Sequence, residues 1–278
     1  MSFAASLFAD LERTAAVVDF PPVHALHVPQ SASFGTKDGE FCAVELEGGA
    51  MGLSYVLLDD TLARLQSGGH GERLAGMPAI EAARWYAQAG GTRKTIGFAV
   101  ANAMTRHLFD RSGYRPPDAT DSIGGLAPQR GERIGMVGYF PPLAKHVTAQ
   151  GAELVVLELR EELAGAKEGF TVTLDPAGLC GCRKLLSTST VLLNDTLESV
   201  LALGGDASAF VMIGPGAGCL PDALFARGVT ALGGTWIEDV DGFRAALRSG
   251  EPWGRHARKT LIERAGYPGL DALLARSR

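Results

Sequence analysis

Apolar residues recur along this chain with two different spacings, and the order in which those spacings alternate predicts its architecture. Near the start, Leu7, Leu11 and Val18 fall on one side of a helix whose other positions include Asp10, Glu12 and Arg13. Residues 23–28, 40–47 and 51–58 then read as strands, the last two joined at Gly48 and Gly49 as a hairpin. Helical spacing returns over 79–89 and 95–109, with Ile96, Val100, Ala103, Met104 and Leu108 on one buried face. This opening part is therefore expected to be α+β. From Asp110 to Glu132 the periodicity gives way to Gly, Pro and Asp, a linker composition, which places a domain boundary near residue 125.

Beyond that point, short apolar runs alternate with helical segments. Residues 134–137 form a β-rich run closed by Gly138, 143–150 allow about two helical turns, and 154–157 resume strand character before Glu158. Further strands are expected over 184–189, 209–213 and 231–237, with a helix over 194–203 and a helical tail from Asp241. Such alternation predicts an α/β domain, residues 126–278, with a doubly wound parallel sheet, following a smaller α+β domain, residues 1–125.

Composition narrows the class. The 278 residues carry a formal charge of -5, so no basic surface for nucleic acid is expected, and no apolar run reaches membrane-spanning length. Four cysteines and no signal-like start point to a reducing cytoplasm.

A parallel sheet presents ligands with the crevice at its carboxyl ends, and three predicted strand ends carry candidate chemistry there. The first is the turn Gly138, Tyr139 and Phe140, followed by two prolines. Glu158 lies twenty residues on, near where dinucleotide-binding folds place a ribose-binding acid, but the glycine signature GxGxxG is absent. The second is a hydroxyl-rich passage containing Thr188, Ser189, Thr190, Asn194 and Thr196, able to cap a helix or bond a ligand. The third is GPGAG, where Gly214, Pro215 and Gly216 form a turn able to cradle an anionic group. Cys180 and Cys182 form a CxC pair, yet Cys219 falls beyond a different strand, at the opposite edge of a parallel sheet. A third role, metal storage through these thiols, ranks last. No P-loop, HExxH, nucleophile elbow or EF-hand pattern is present, so no reaction is identified.

The stretches IGFAVANAM from Ile96, MVGYFPPL from Met136, LELR from Leu157, STSTVLLNDTLESVL from Ser187 and GPGAGCLPDALFARGVTALGGTWIED from Gly214 together resemble the putative heavy-metal chelation domain family. The resemblance implies an enolase N-terminal-like domain followed by a Rossmann-like domain, with a cleft between them. It implies cleft roles for Asn102, the GYFPP turn, Glu158, the threonine segment through Thr196 and the GPGAG turn. This chain departs from the family by placing Asp195 between Asn194 and Thr196. The reading that results is a binder of a small polar or anionic ligand, with a metal ion or metal complex as one form of that ligand. A nucleotide is the less favoured cofactor. The alternative is an enzyme acting on a nucleoside-containing or heterocyclic molecule. Partners expected are a small molecule or metal, with homo-oligomers allowed and neither nucleic acid nor membrane.

Overall fold

The computed structural model describes residues 1–30, 37–205 and 207–278. Its first half builds a three-stranded antiparallel sheet, β1 (Val23–His27), β2 (Phe41–Leu46) and β3 (Met51–Tyr55), with β2 in the middle. Helices α1 (Phe3–Ala15), α2 (Thr61–Gln66), α3 (His70–Leu74), α4 (Ala79–Gln88) and α5 (Gly91–Arg111) surround it. Most positions of α5 are buried on all sides, as expected of a helix apolar around its circumference. Glycines set its depth: a Cβ at Gly52 would lie 2.2 Å from Ala99 O, and one at Gly97 would lie 2.4 Å from Tyr86 N. Neither neighbour is free to yield, so α5 can touch β3 and α4 this closely only with glycine there.

The second half is an eight-stranded sheet, flanked by α6 (Pro141–Ala149), α7 (Leu197–Leu203), α8 (Asp222–Phe225), α9 (Val240–Ser249) and α10 (Leu270–Arg276). Its strands are β4 (Arg133–Val137), β5 (Glu153–Leu157), β6 (Gly165–Lys167), β7 (Phe170–Thr173), β8 (Lys184–Thr188), β9 (Ala209–Ile213), β10 (Ala231–Ile237) and β11 (Ala257–Glu263). Across the sheet they run β11-β10-β9-β8-β4-β5-β7-β6, with only the two edge strands antiparallel to their neighbours. Counting the parallel strands alone, this is the doubly wound order, reversing between β4 and β8.

Three strands were not foreseen. The sequence over 165–173 is short and polar, yet it supplies β7, the third parallel strand, and its antiparallel partner β6. The tail expected to be helical from Asp241, with interruptions at Gly254, Gly266 and Pro268, ends α9 at Gly250, in the left-handed region, and then returns as β11 along β10. The Pro- and Gly-rich stretch read as a linker is held to that edge: Leu261 N donates to Pro117 O and Ala119 N to Lys259 O, both near 3 Å, while Ile123 and Leu126 join the core beside β11.

The two sheets share cores. One hydrophobic cluster runs from α1, β2 and α5 through to β8, β9 and α10. A second joins Phe41, Ala43, Met51 and Leu53 of the small sheet to Phe243, Ala246 and Leu247 of α9. Both faces of β2 are thereby covered, α5 on one and α9 on the other, which is why all six of its residues are buried. Its one acid, Glu45, accepts from Arg244 of α9 and lies 2.9 Å from His27 Nε2. Burial opposes the charge of Glu45, but these hydrogen bonds override it and hold the carboxyl below its ordinary value.

Candidate functional site

The strand-order reversal brings the first two predicted turns side by side. Gly138 sits at φ 84°, and a Cβ there would meet Thr188 Cγ2 at 3.1 Å. The polar groups of this region, however, are largely paired with one another. Gly138 N donates to Leu157 O (2.9 Å) and Tyr139 N to Glu158 Oε2 (3.0 Å). Glu158 Oε1 accepts from Leu159 N (2.8 Å) and Arg160 N (3.4 Å). Pro141 and Pro142 have no N–H, and Leu143 N, the next donor of α6, bonds Phe140 O at 3.0 Å. The first turn of α6 thus lacks the free N–H groups with which a dinucleotide-binding helix holds pyrophosphate. The rings of Tyr139 and Phe140 pack into the core on the α6 side, Tyr139 against Phe170 with centroids 5.8 Å apart.

The hydroxyl-rich passage divides in two. Thr188 Oγ1 accepts from Thr190 N (3.2 Å) and pairs with Thr190 Oγ1 (3.0 Å), capping the short 3-10 helix Ser189–Leu192. Ser189 is buried and faces the third turn, where a Cβ on Gly214 would fall 2.4 Å from its Oγ. Asn194 Oδ1 accepts from Thr196 N (3.3 Å) and Thr196 Oγ1 (2.7 Å), a local turn around Asp195. His146 stands exposed on α6, away from these groups.

A different arrangement holds where the halves meet at β9 and β10. Asn102, in the middle of α5 and only 3% exposed, donates its Nδ2 to Leu53 O of β3 (2.7 Å) and to Gly216 O of the GPGAG turn (3.1 Å). Its Oδ1 is buried without a hydrogen-bond partner. Asn102 lines a chamber of about 30 Å³, with Pro215, Gly218, Thr235 and Thr260 around it and Arg106 and Trp236 forming another part of its wall. The Arg106 guanidinium lies over the Trp236 ring at 3.8 Å and donates to Ile237 O at 2.7 Å, which fixes that wall. A buried amide oxygen left unpaired costs on the order of 1–3 kcal/mol. Its volume admits one small group, since about 10–15 Å³ of this kind of space holds a water.

Thus the predicted residues fall into three groups. Gly138, Tyr139, Phe140, Glu158, Thr188 and Thr190 meet at the reversal point. Asn102, Pro215 and Gly216 meet at the chamber, with Ser189 and Gly214 packed between. Asn194 and Thr196 lie apart, on the loop before α7. Sequence reading missed Arg106, Thr235, Trp236 and Thr260, and no local signal marks them, because their shared wall is made only by tertiary contact. It also missed Lys94, which pairs with Asp195 across 101 residues.

The cysteines do not assemble. Cys42 and Cys219 are fully buried, and burial pushes each thiol up to about 12. Cys182 is buried near Arg133 at the amino end of β4, and burial raises it as well, whereas Cys180 is exposed. Among the described residues no three His, Cys, Asp or Glu side chains converge where a metal ion could be held. No described helix is long and apolar enough to cross a membrane.

A family model described as "Putative heavy-metal chelation" matches residues 123–265, more than half of the chain, and a second with the same description matches residues 39–105. An uncharacterized protein of Methanocaldococcus jannaschii is 27% identical over 152 residues, covering 53% of this chain and 56% of that protein. The chain therefore spans about half the length of that curated relative. Two solved structures of DUF364-family proteins of unknown function share the fold. The Pyrococcus horikoshii protein aligns with a TM-score of 0.66 at 18% identity, over 94% of this chain and 100% of that one. The Desulfitobacterium hafniense protein aligns at 0.68 and 18%, over 94% and 99%. The description names heavy metals, but the donors found here are an amide oxygen, hydroxyls and a carboxylate already holding three backbone N–H groups. That set does not fit a soft heavy metal, which wants converging thiolates or imidazoles.

Proposed function

The chain belongs to the family described as putative heavy-metal chelation, and from that premise we propose that it binds a small polar or anionic ligand between its two halves, at the carboxyl ends of the large sheet. Residues 1–125 contribute Asn102 and β3, and residues 126–278 contribute the GPGAG turn and β10. The observation that carries the reading is the unpaired Oδ1 of Asn102, a residue that lines the chamber, while Nδ2 of the same side chain ties both halves together. A ligand N–H or O–H enters the chamber and satisfies that oxygen, and the rest of the ligand lies outside against Arg106, Pro215 and Trp236. A metal would arrive as a complex whose organic part makes these contacts.

Gly218→Ala tests this directly. A Cβ at Gly218 meets Asn102 Cγ at 3.7 Å, ordinary contact, and the backbone there is outside the left-handed region. The added methyl narrows the chamber without touching the Asn102 hydrogen bonds. A panel of small hydroxylated, amide and carboxylate compounds, with and without divalent metals, is screened by thermal shift against wild type and variant. The expected result is stabilisation of wild type by one chemical class, lost in Gly218→Ala, with the two apo proteins within about 0.5 kcal/mol of each other. Equal stabilisation of both proteins would remove the chamber from the site.

A further inference from the structure

Lys94 is a charged residue that the chamber does not use. It lies one turn into α5 and is only 7% exposed, because α4, the start of α1 and the loop before α7 close around its stem. Among the described residues its hydrogen-bond acceptor is Asp195 Oδ1. An ammonium carries three donors, and burying one is tolerated only against an opposite charge. The partner chosen is unusual: the Asp195 side chain is 82% exposed, and its backbone sits at φ 61°. Left-handed backbone is unfavourable for a residue other than glycine, though Asp bears it better than most. Solvent screening also weakens a pair with so exposed a carboxylate.

Beside this pair is a cavity of about 250 Å³, many times the roughly 10–15 Å³ of such space that holds one water. Phe3, Tyr86 and Leu192 supply apolar wall, and Gln88 and Lys94 supply polar groups. The wall is fixed, since Tyr86 Oη donates to Leu192 O at 2.6 Å. Glu198, also at the rim, is engaged by Phe3 N at 2.9 Å and by Arg227 Nε at 4.0 Å. Lys94 is therefore the buried charge whose counter-ion is held on an exposed loop.

We infer that this cavity is a second binding site, for a small organic carboxylate, in which the ligand's carboxylate takes the place of Asp195 on Lys94. Asp195 is the chain's own stand-in for the ligand and closes the site when it is empty. A ligand carboxylate gains what Asp195 lacks, because its body lies against Phe3, Tyr86 and Leu192 while its charge is shielded from solvent. The site is separate from the Asn102 chamber and does not depend on it.

Asp195→Gly is the informative variant, since glycine takes φ 61° freely and removes the competing carboxylate. Its thermal midpoint should fall below that of wild type and be restored by acetate, but not by chloride at matched ionic strength, with no such difference in wild type. Benzoate, followed by its ligand-observed NMR signals, should bind wild type weakly, Asp195→Gly on the order of tenfold more tightly as the competing state is removed, and Lys94→Gln not at all. Asp195→Asn provides the same comparison if the glycine variant does not fold. If acetate and chloride act alike on both Asp195 variants, and benzoate affinity is unchanged by removing the carboxylate, the pair is a staple between α5 and the loop and the inference is wrong.

Discussion

The reversal point between β4 and β8 and the chamber at β9 and β10 stand at the same end of the same sheet, yet they treat their polar groups in opposite ways. At the reversal point, Glu158 holds the GYFPP turn and its own loop, the threonine cap is paired within itself, and two prolines remove donors from the first turn of α6. At the chamber, Asn102 spends its donors on two carbonyls 49 and 114 residues away and leaves its acceptor open. The lesson is that the more conspicuous motif became structure and the less conspicuous residue kept a free hydrogen-bonding position. A buried polar atom left unpaired is destabilising until a partner satisfies it.

The contrast can be broken at three points beyond the two experiments already described. The largest effect is expected from Asn102→Asp, which replaces two donated hydrogen bonds by a buried charge facing the Leu53 and Gly216 carbonyls. Urea unfolding should show a loss of about 3–5 kcal/mol, and an unchanged midpoint would mean that the halves are not tied there. Next, Glu158→Gln leaves one oxygen to accept backbone N–H groups and turns an amide N–H₂ toward the others. A loss of about 2 kcal/mol in thermal unfolding is expected. Full retention of stability would free Glu158 for a ligand and put the reversal point back beside the chamber. The smallest effect concerns Cys219, which follows Gly218 directly. Burial closes its thiol off from solvent and pushes it up to about 12, which keeps it protonated. A thiol reagent should therefore label Cys180 in the native protein and spare Cys219, and fast labelling of Cys219 would show that the segment after Gly218 opens to solvent.

Much of the fold was legible in the pattern of apolar positions. The run 134–137, the turn at Gly138 and the return over 154–157 appear as β4, α6 and β5, and the strands near 184, 209 and 231 appear as β8, β9 and β10. The strands β6 and β7 escaped because they are only three and four residues long, too short for a pattern of apolar positions to stand out. β11 escaped because Arg258, Lys259 and Glu263 dilute its apolar residues, and it is a strand only because β10 offers a complete edge to pair with. The candidate site was legible as residue types gathered at strand ends, but not as hydrogen bonds made and left unmade.

The sequence by itself determined the alternation of strands and helices, the carboxyl end as the place where polar loops gather, and the family. Those follow from local periodicity, which acts over a few residues, and from motifs contiguous in the chain. Only the tertiary structure decided that α9 covers the small sheet, that Glu158 is held by its own loop, that Asn102 keeps a free oxygen and that Lys94 meets Asp195. Whether a polar group is satisfied, and whether space remains beside it, depends on which distant segments close against it, and no spacing within one segment encodes that.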